Sequence, residues 1–583
     1  MITKKDISEF FDLEVEASKQ SWEALMKLPV KERIRKRRAI QNVYLDHDYE
    51  ERTDDNYILI KVSVAVNLSD FKEGECLVLH KEDSLYGIKC NLYSFIGDNE
   101  ILLEVFSPNM PASLDSFYDV PLLLDRDMVD LREHVFNPFL FHLSGDHDFC
   151  RNLLINKIPT PTFIDNDKNK EELDDTIKYN DLHLLPRQQE AILKCMSAQD
   201  YYLIQGPPGT GKSYVLSHII LEEMIYFQHR VAVIGPNHMA INNVLGQVLK
   251  VAPVFCPLIT KVGKAYNAPK QRAVYEGEEC SIENVPYLNI YYFNHELIAW
   301  VVGLTPHCLY SSRARGLKFD TLIIDEAGQM TIPLALMGMI KAKKVILAGD
   351  HKQLPPIISS EEIGDKMKQS VFQLLVKKDN CTMLDVSFRM CEPICSFVSD
   401  LFYDGNLKSK IEGCGVLIKN KNALFDFSSP VIFHDIEDEG EQFSNKEAEF
   451  IADTIAEFLS LEMSPKEIGV LSPFRAQAAN IRRHIRKHPE INEEQAGQIV
   501  SDTIDKMQGQ EREVIIFSFV AGNLDYMKEM AEFLYNPNKL NVAFSRAKYK
   551  LIIVGNLKNI KRISHKGYPH IKQMLEHKNV TFV

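Results

Sequence analysis

The segment GPPGTGKS at residues 206–213 constrains the fold of this chain more than any other stretch. It fits the pattern G-x-x-x-x-G-K-[S/T] and follows an apolar run, YYLIQ (201–205), that precedes a stretch with helical patterning. In that context the glycines let backbone N–H groups curl around phosphate oxygens, and the next helix adds its positive N-terminal end. The sequence therefore predicts a parallel α/β domain with a phosphate-binding loop.

This loop and a later acidic pair predict a site that uses ATP and Mg²⁺. Lys212 would reach the β- and γ-phosphates, and the Ser213 hydroxyl would be a Mg²⁺ ligand. In LIIDEAGQ (322–329), Asp325 ends an apolar run and is placed to hold the metal, and Glu326 is placed to activate the attacking water. We therefore expect hydrolysis and not binding alone. The loop positions expected to hold the nucleotide are Gly206, Pro207, Pro208, Gly209, Thr210 and Gly211.

Strand-like and helix-like segments alternate from about residue 180 to the end of the chain. The strand-like runs of the first set are YYLIQ, RVAVIG, FDTLIIDEA and KKVILAGD. A second set begins at TMLDVSF (382–388) and continues through VIFHD, EIGVLSP, QIVSDTI, EVIIFSFV and KLIIVGN. This alternation is typical of parallel sheets with helices on both faces. We predict two doubly wound α/β units in tandem, over residues 181–378 and 379–583.

The first 180 residues have a different pattern. Residues 1–40 read as a helix that is interrupted near Pro29. Residues 41–123 contain four short strand-like runs separated by turn residues, which predict a small β-barrel or sandwich. Residues 124–180 begin with helical patterning and lead as a connector into the first α/β unit. We expect the two helical segments to form a stalk with the barrel at its tip.

Composition limits the surroundings and the partners of the chain. Its 67 Lys and Arg and 81 Asp and Glu residues give a net charge of −14, so any nucleic acid would have to meet a local basic channel. No apolar run approaches 18 residues, and no membrane span is expected. The 11 cysteines are scattered, and Cys391 and Cys395 have no second pair nearby. This favours a reducing, cytoplasmic setting and argues against a zinc site.

Six further motifs accompany the phosphate loop. They are LLPRQQEAI around Gln188, GDHKQLPP (349–356), SFRMCEP (387–393), LSPFRAQ (471–477), DTIDKMQGQE (502–511) and LNVAFSRAK (540–548). In order and spacing the series resembles superfamily 1 helicases, most closely the up-frameshift-like (1B) branch that includes the nonsense-mediated-decay helicase, senataxin and the immunoglobulin-mu-binding helicase. The resemblance covers both predicted α/β units. It implies two RecA-like P-loop domains and an ATP-driven motor on single-stranded nucleic acid.

The resemblance implies roles for several residues outside the phosphate loop. Gln188 would hydrogen-bond adenine, Phe388 would stack on the base, and Glu511 would contact the ribose. These three positions match the family motifs at the nucleotide's base and sugar end. They complete the expected ATP-binding set.

A second group is implied at the γ-phosphate. Gln353 would sense the state of that phosphate from the first domain. Arg389 and Arg546 would reach it from the second domain, where guanidinium forks suit bidentate phosphate contact and stabilise charge that develops during transfer.

The resemblance also implies a nucleic-acid track across the top of both domains. Hydroxyl, amide and backbone groups there would hold phosphates and sugars, so little sequence preference is expected. The matching positions are Pro236, Asn237, His238, Thr305, Pro355, Pro473 and Thr503. The basic runs 33–38 and 481–487 would either add electrostatic attraction or be solvated helix faces.

We therefore expect a monomeric, cytoplasmic ATPase that couples hydrolysis to translocation and unwinding on single-stranded DNA or RNA, and the resemblance implies 5′-to-3′ movement. Two alternatives stay open. One is a nucleoprotein-remodelling ATPase without processive unwinding. The other is an ATP-gated nucleic-acid clamp whose barrel recruits a protein partner. Glu326 and the two arginines argue against a clamp, because a clamp needs binding but not fast turnover.

Overall fold

A computed structural model describes residues 2–583 apart from 53–56, 66, 68, 83–85, 97–98, 144–159, 164–170, 172–174, 176–182, 265–266, 412, 414–428, 508, 521 and 565–566. Much of the predicted connector after residue 144 therefore lies outside the described residues. In the described part of the chain, no helix is both long and apolar enough to cross a membrane.

In the described residues, the N-terminal part contains a closed six-stranded barrel with α-helices before and after it. Its elements are α1 (Lys4–Met26), α2 (Val30–Arg35), β1 (Ala39–Arg52), β2 (Tyr57–Val64), β3 (Cys76–His80), β4 (Gly87–Ile96), β5 (Glu100–Phe106), β6 (Leu122–Arg126) and α3 (Asn137–His142). The strands pair antiparallel in the order β1-β2-β5-β4-β3-β6. The barrel predicted from four strand-like runs is confirmed. Strands β1 and β6 were not predicted; β1 is rich in charged residues and β6 has only five residues.

Helix α1 lies along the first α/β unit. Its Phe11 ring stacks on Phe136 with the centroids 4.0 Å apart. Its Glu14 carboxylate accepts hydrogen bonds from the backbone N–H groups of Ser359 and Ser360, at 2.8 and 2.9 Å. The helix ends before Pro29, as the sequence predicts. In the second helical segment, one turn of wider helix leads into the α-helix Asn137–His142, and most of the segment's residues after 143 lie outside the described part of the chain.

A buried ionic cluster joins α2 to the barrel. Arg33 is only 4% exposed, and its Nη2 lies 3.0 Å from Asp125 Oδ2. His80 Nε2 lies 2.9 Å from the same oxygen, and Arg33 Nη1 donates to the backbone oxygen of Met26. Because each member of the cluster is buried and bonded, the cluster fixes the helix on the barrel wall. Arg33 therefore has a structural position and is not part of a solvated basic surface.

The first α/β unit (residues 183–383) contains an eight-stranded, fully parallel sheet in the order β12-β9-β13-β8-β14-β15-β7-β16. Its elements are α4 (Pro186–Ser197), β7 (Tyr201–Gln205), α5 (Lys212–Ile225), β8 (Arg230–Ile234), α6 (His238–Val251), β9 (Ile259–Val262), β10 (Arg272–Tyr275), β11 (Glu278–Ser281), β12 (Glu283–Val285), β13 (Trp300–Gly303), β14 (Thr321–Ile324), α7 (Ile332–Met339), β15 (Lys344–Gly349), α8 (Asp365–Lys368), α9 (Val371–Leu375) and β16 (Cys381–Met383). Strands β10 and β11 form a separate antiparallel pair. The inner strands are buried on both faces, which explains their continuous apolar runs.

The second α/β unit (residues 386–583) contains a six-stranded parallel sheet in the order β21-β20-β22-β23-β19-β24. Its elements are β17 (Val386–Cys391), α10 (Glu392–Phe402), β18 (Lys408–Ile411), β19 (Val431–Asp435), α11 (Asn445–Ser460), β20 (Ile468–Ser472), α12 (Arg475–Lys487), α13 (Glu493–Gln498), β21 (Val500–Thr503), β22 (Arg512–Ser518), α14 (Leu524–Glu529), α15 (Ala531–Leu534), α16 (Pro537–Phe544), β23 (Ala547–Gly555), α17 (Leu557–Ser564), α18 (Pro569–Glu576) and β24 (Val580–Phe582). The predicted parallel sheets are thus confirmed.

One strand assignment from the sequence is wrong. The run TMLDVSF was assigned as the first strand of the second unit, but it is divided between two sheets. Cys381–Met383 pairs with β7 and extends the first sheet, whereas Val386–Cys391 pairs with β18 in a small sheet of two strands. The apolar pattern identifies strand-forming residues but carries no information about the sheet edge that accepts them.

We predict that Arg33→Ala destabilises the joint between α2 and the barrel. The substitution leaves Asp125 buried with only His80 beside it, and breaking a buried pair costs about 3–5 kcal/mol. Trp22, whose indole N–H donates to Arg126 O at the same joint, allows the unfolding midpoint to be followed by fluorescence. Arg35→Ala is the matched control because Arg35 forms an exposed pair with Glu32. Equal unfolding midpoints for the two variants would contradict the prediction.

Candidate active site

The carboxyl ends of three neighbouring strands bring the predicted site residues together. Strands β14, β15 and β7 are adjacent in the first sheet. Asp325 directly follows β14, Asp350 follows β15, and the loop 206–211 follows β7. Because all three strands run parallel, these segments meet at one edge of the sheet, where ligands of such folds bind.

The loop 206–211 wraps tightly in front of helix α5. The backbone N–H of Gly206 donates to Gly349 O at 3.0 Å, and the Thr210 hydroxyl donates to Pro207 O at 2.8 Å. Gly211 has a φ of 77°, which favours glycine. A Cβ at Gly206 would lie 2.9 Å from the Lys212 side chain. The loop therefore forms a close backbone cradle at the N-terminus of a 14-residue helix, suited to phosphate groups.

Lys212 lies between the two predicted acidic residues. Its Nζ is 2.7 Å from Glu326 Oε1 and 3.1 Å from Asp325 Oδ1. Burial alone would lower the pKa of Lys212, but the two carboxylates outweigh burial and raise the pKa above its usual value. The lysine is therefore charged at neutral pH.

The two carboxylates have different surroundings. Burial raises the pKa of Asp325 in spite of the charge of Lys212. Burial also acts to raise the pKa of Glu326, but the charge and hydrogen bond of Lys212 outweigh it, so this pKa lies below its usual value. The Gln329 side-chain amide donates to Glu326 Oε2 at 2.8 Å and orients the carboxylate. An ionised, oriented Glu326 suits the role of a proton acceptor.

Ser213 and Asp325 fit a Mg²⁺ ion as donors. Among the described residues, no cluster of three or more His, Cys, Asp or Glu side chains is arranged to hold a metal. Mg²⁺ is usually bound by one or two protein oxygens together with substrate phosphates and water. A hydroxyl at the start of α5 and a buried carboxylate after β14 are hard oxygen donors of that kind.

Strand β17 of the second unit lies directly against the phosphate loop. The backbone N–H of Phe388 donates to Gly209 O at 2.8 Å, and the Ser387 hydroxyl donates to Pro208 O at 2.9 Å. A Cβ at Gly209 would lie only 2.5 Å from Arg389 Cβ. The loop and the strand that carries Arg389 therefore form one contact between the two units.

The two arginines that were predicted for the site lie on this side of the second unit. Arg389 Nε is 2.6 Å from Glu511 Oε2, and its Nη1 donates to Ser545 O at 3.3 Å. Arg546 is 2% exposed and donates to the backbone oxygens of Val542 and Gln510. Burial and the charge of Arg389 lower the pKa of Arg546 to about 9. The negative charge of Glu326 acts to raise the pKa of Arg546, so the two side chains are close enough to interact electrostatically.

The residues predicted for the base and the ribose surround the same loop. Gln188 is buried, and its side-chain amide donates to Thr210 O at 3.2 Å. The Phe388 ring is 46% exposed. Glu511 pairs with Arg389 and, at 2.9 Å, with Lys548. Burial alone would raise the pKa of Glu511, but Lys548 and Arg389 hold it below its usual value.

A buried hydrogen-bond network around Asp350 connects the two units and was not predicted. Asp350 accepts from the side chains of Gln205 at 3.1 Å, Gln353 at 2.9 Å and Tyr403 at 2.6 Å. Asn541 of the second unit donates to the Tyr403 hydroxyl at 2.8 Å. Gln353 was predicted as a phosphate sensor, and here it belongs to this network. Asp350 could have been recognised from the sequence as a candidate site residue, because it is an acidic residue directly after an apolar strand. Nothing in the sequence points to Tyr403.

The residues predicted for nucleic-acid contact lie mainly after parallel strands. Those at or just after a strand's carboxyl end are Pro236, Asn237, His238, Thr305, Pro473 and Thr503, and Pro355 is exposed in the loop after β15. The Asn237 side chain caps α6 by accepting from Ala240 N at 2.9 Å, and Thr503 is only 7% exposed. His238 Nδ1 lies 2.9 Å from the buried Lys261 Nζ. The structure thus places these residues mainly at the carboxyl edges of the two sheets. Some of their side chains, such as those of Asn237 and His238, already contact other groups of the protein.

Comparison with known proteins gives matches over both α/β units. One family model described as an AAA domain matches residues 183–279 and 298–361, and another with the same description matches residues 367–558.

Three curated relatives illustrate the similarity. The chain is 28% identical over 445 residues to the DNA polymerase alpha-associated DNA helicase A of Schizosaccharomyces pombe, covering 66% of this chain and 65% of that protein. It is 29% identical over 416 residues to the DNA replication ATP-dependent helicase/nuclease dna2 of the same organism, covering 66% and 28%. It is 28% identical over 468 residues to the regulator of nonsense transcripts 1 of Dictyostelium discoideum, covering 73% and 34%. The chain therefore spans less than two thirds of each of these relatives.

We predict that Tyr403→Phe weakens the link between the two units. The substitution removes a buried hydroxyl that donates to Asp350 and accepts from Asn541, which costs about 1–3 kcal/mol. The measurement is the midpoint of denaturant unfolding. Tyr549→Phe is the control, since Tyr549 is a half-buried tyrosine of the same unit, and no hydrogen bond joins its hydroxyl to the first unit among the described residues. An unchanged midpoint in Tyr403→Phe would show that the network does not hold the units together.

Proposed function

The chain belongs to the up-frameshift-like branch of the superfamily 1 ATP-dependent helicases, and on this basis we propose that it moves along single-stranded DNA or RNA in the 5′-to-3′ direction and unwinds duplexes. The observation that best supports the proposal is the contact of strand β17 with the phosphate loop. Through the Phe388–Gly209 hydrogen bond, Arg389 of the second unit is held beside the loop of the first unit. A nucleotide bound there would touch both units.

In this proposal the two α/β units are RecA-like motor domains. The boundary between them lies after β16 and before β17, a few residues beyond the division at 378/379 that the sequence predicts. Helices α1, α2 and α3 would belong to the stalk that carries the six-stranded barrel, as expected for the described parts of residues 1–40 and 124–180. Because each motor domain has its own sheet and a hydrophobic cluster of its own buried residues, the domains would move as rigid bodies relative to each other. The nucleotide between them would set their separation.

The first domain would bind ATP and activate water. The backbone of loop 206–211 and Lys212 hold the phosphates, and Ser213 and Asp325 hold Mg²⁺. When bound, Mg²⁺ supplies positive charge to the β- and γ-phosphate oxygens. Glu326 would accept a proton from the attacking water. It is available for this role because Lys212 keeps it ionised and Gln329 fixes its orientation.

The second domain would supply positive charge to the γ-phosphate. Arg389 is paired with Glu511, and Arg546 donates to backbone carbonyl groups. A phosphate is a stronger bidentate partner for a guanidinium than a carbonyl group is. We expect both arginines to turn toward the γ-phosphate as the domains close, and to release it after hydrolysis.

The network around Asp350 would couple the nucleotide to movement. Gln353 shares Asp350 with Tyr403, and the Asn538 side-chain amide donates to His351 O at 2.9 Å. A change in the contacts of Gln353 would therefore reach Tyr403 and Asn538 in the second domain. Each cycle would move one domain along the strand relative to the other.

The strand would lie across the carboxyl edges of both sheets. The residues proposed to line this track are Pro236, Asn237, His238, Thr305, Pro355, Pro473 and Thr503. Backbone groups and short side chains there contact phosphates and sugars, which makes binding largely independent of base sequence. Phe388, Gln188 and Glu511 would hold the base and ribose of ATP.

We predict that single-stranded DNA or RNA stimulates ATP hydrolysis by the full chain. The measurement is the steady-state ATPase rate with and without oligonucleotides, followed by unwinding of duplexes that carry 5′ or 3′ single-stranded tails. Lys212→Ala should abolish turnover, whereas Glu326→Gln should bind ATP without hydrolysing it. ATPase activity that no nucleic acid stimulates would contradict the motor and favour an ATP-gated clamp. Stimulated hydrolysis without unwinding would point to a nucleoprotein-remodelling ATPase.

We predict that Arg546→Ala lowers the ATPase rate by roughly 10³-fold or more, as expected for an arginine that stabilises the transition state. Binding of ATP should change much less, because Lys212 and the loop remain. The matched control is Arg562→Ala, an exposed arginine of the same domain on α17. A loss below tenfold in Arg546→Ala would show that Arg546 does not act on the transferred phosphate.

A further inference from the structure

Lys261 is a buried lysine that the proposed mechanism does not use. It lies on β9, where it pairs with Asn284 of β12 and Gly303 of β13. Its side chain is fully buried, and in the described part of the chain it forms no ion pair with a carboxylate. Lysines are rarely fully buried without such a partner, because an unpaired charge loses its hydration. The few contacts of this ammonium group therefore carry information about its role.

The ammonium group of Lys261 is held by His238 and by its own strand. Nζ lies 2.9 Å from His238 Nδ1 and donates to Val262 O at 3.3 Å. Gly263 leaves space for this group, since a Cβ there would lie 2.9 Å from Nζ. The lysine thus reaches from β9 to the first residue of α6, where its side chain meets one histidine ring.

This contact determines which nitrogen of the His238 ring carries the proton. An ammonium group has only donors, so Nδ1 accepts, and the proton of a neutral ring then lies on Nε2. Burial, together with the charges of Lys261 and Arg313, lowers the pKa of His238 to about 4, so the ring is neutral at neutral pH. Burial lowers the pKa of Lys261 to about 8, which still leaves most of the lysine charged at neutral pH. His238 is therefore a neutral ring with a single N–H donor at Nε2.

The Nε2–H group of His238 is accessible to a ligand. In the described part of the chain it has no hydrogen-bond partner, and Nε2 is not one of the enclosed polar atoms. The ring is half-buried on the first residue of α6, with Nδ1 toward the interior. The N-terminal end of a helix favours anions. The ligand that suits this donor is therefore an anionic oxygen.

Two cations without carboxylate partners lie near this ring. Arg313 acts to lower the pKa of both Lys261 and His238, so it is close enough to interact with them. Its guanidinium lies 5.7 Å from the centroid of the Tyr287 ring, and among the described residues no carboxylate pairs with it. Lys261 and Arg313 therefore create a local positive field on a chain whose net charge is −14.

Lys261 lies behind two positions of the proposed nucleic-acid track. Strands β9, β13 and β8 are neighbours in the first sheet, and the track residues Thr305 and His238 follow β13 and β8. Thr305 Oγ1 lies 3.2 Å from Cys308 Sγ, and Cys308 in turn acts on the pKa of Lys261. The lysine is thus adjacent to the edge where the phosphates of the strand are proposed to lie.

We propose that Lys261 is a positioning residue for nucleic acid, which fixes the His238 ring so that Nε2–H donates to a phosphate oxygen of the strand. This inference rests on the proposed function and deepens it at the track. A donor on a fixed ring recognises a phosphate and not a base, so it adds no sequence preference. Lys261 acts through the ring, because its ammonium group is buried and does not reach the strand.

The first test is the tautomer of His238 in the full chain without nucleic acid. Nitrogen NMR shifts distinguish protonated from unprotonated ring nitrogens, and the signals that disappear in His238→Gln belong to His238. The wild type should show a protonated Nε2 and an unprotonated Nδ1, and Lys261→Met should lose this preference. A protonated Nδ1 in the wild type, or an unchanged preference in Lys261→Met, would overturn the proposal. The wild-type measurement does not depend on whether a variant folds.

The second test is a double-mutant cycle for strand affinity. The full wild-type chain is compared with Lys261→Met, His238→Ala and the double variant, by fluorescence anisotropy with oligothymidylate or oligouridylate, whichever the wild type binds. Each single variant should bind roughly tenfold more weakly, as expected when a hydrogen bond to a charged group is lost. The double variant should bind no more weakly than His238→Ala, because Lys261 acts through that ring. Losses that multiply would show that Lys261 acts independently and would overturn the proposal.

Two further comparisons separate positioning from charge. Lys250→Met removes an exposed lysine from the same helix α6 and should bind like the wild type. Lys261→Arg keeps a cation that only donates and should restore the tautomer and most of the affinity. One lost phosphate contact lowers the slope of log K against log salt by about 0.7 for single strands. Since Lys261 does not touch the strand, Lys261→Met should lose less than this, and a full loss would overturn the positioning role.

The inference can fail separately from the proposed function. If nucleic acid stimulates the wild-type ATPase but Lys261→Met binds the oligonucleotide like the wild type, the motor stands and Lys261 does not position a strand contact. If nucleic acid neither binds the wild type nor stimulates its ATPase, the proposed function itself fails. The role of His238 toward a phosphate then fails with it, whichever ring nitrogen carries the proton.

Discussion

The contact between loop 206–211 and strand β17 is the interaction on which the rest of the structure depends. It joins the backbone of Gly209 to the backbone of Phe388, so the two α/β units meet at the phosphate loop itself. Gly209 is required there because a side chain would collide with Arg389. A ligand in the loop would therefore lie beside both units.

The cationic side chains at this contact are paired with carboxylates of the protein. Lys212 is held by Asp325 and Glu326, and Arg389 is held by Glu511. Buried or partly buried charges are stable only with partners, and these partners are side chains at the edge of the site. Phosphate groups offer the same cations a stronger partner. Phosphate binding could thus replace the existing ion pairs without leaving a buried charge unpaired.

Charged side chains of the N-terminal elements are also either paired in the interior or directed to a cleft. The Arg33–Asp125–His80 cluster is fully internal and fixes the barrel, whereas Arg38 and Arg475 face a shared cleft. Basic residues that are neighbours in sequence therefore serve different purposes. Burial of Arg33 provides the rigid base from which Arg38 projects, and the barrel acquires a defined position relative to α12.

The sequence by itself determined the phosphate loop, the acidic pair after β14, the barrel and the two parallel sheets, because each depends on local spacing and short-range apolar patterning. It also identified Arg389 and Arg546 through motif resemblance. Only the tertiary structure decided that Cys381–Met383 joins the first sheet, that Tyr403 reaches Asp350, and that two basic runs share one cleft. These features depend on residues far apart in the chain. Local apolar patterning indicates which residues of a segment are buried. Which other segment covers them depends on how whole units pack together.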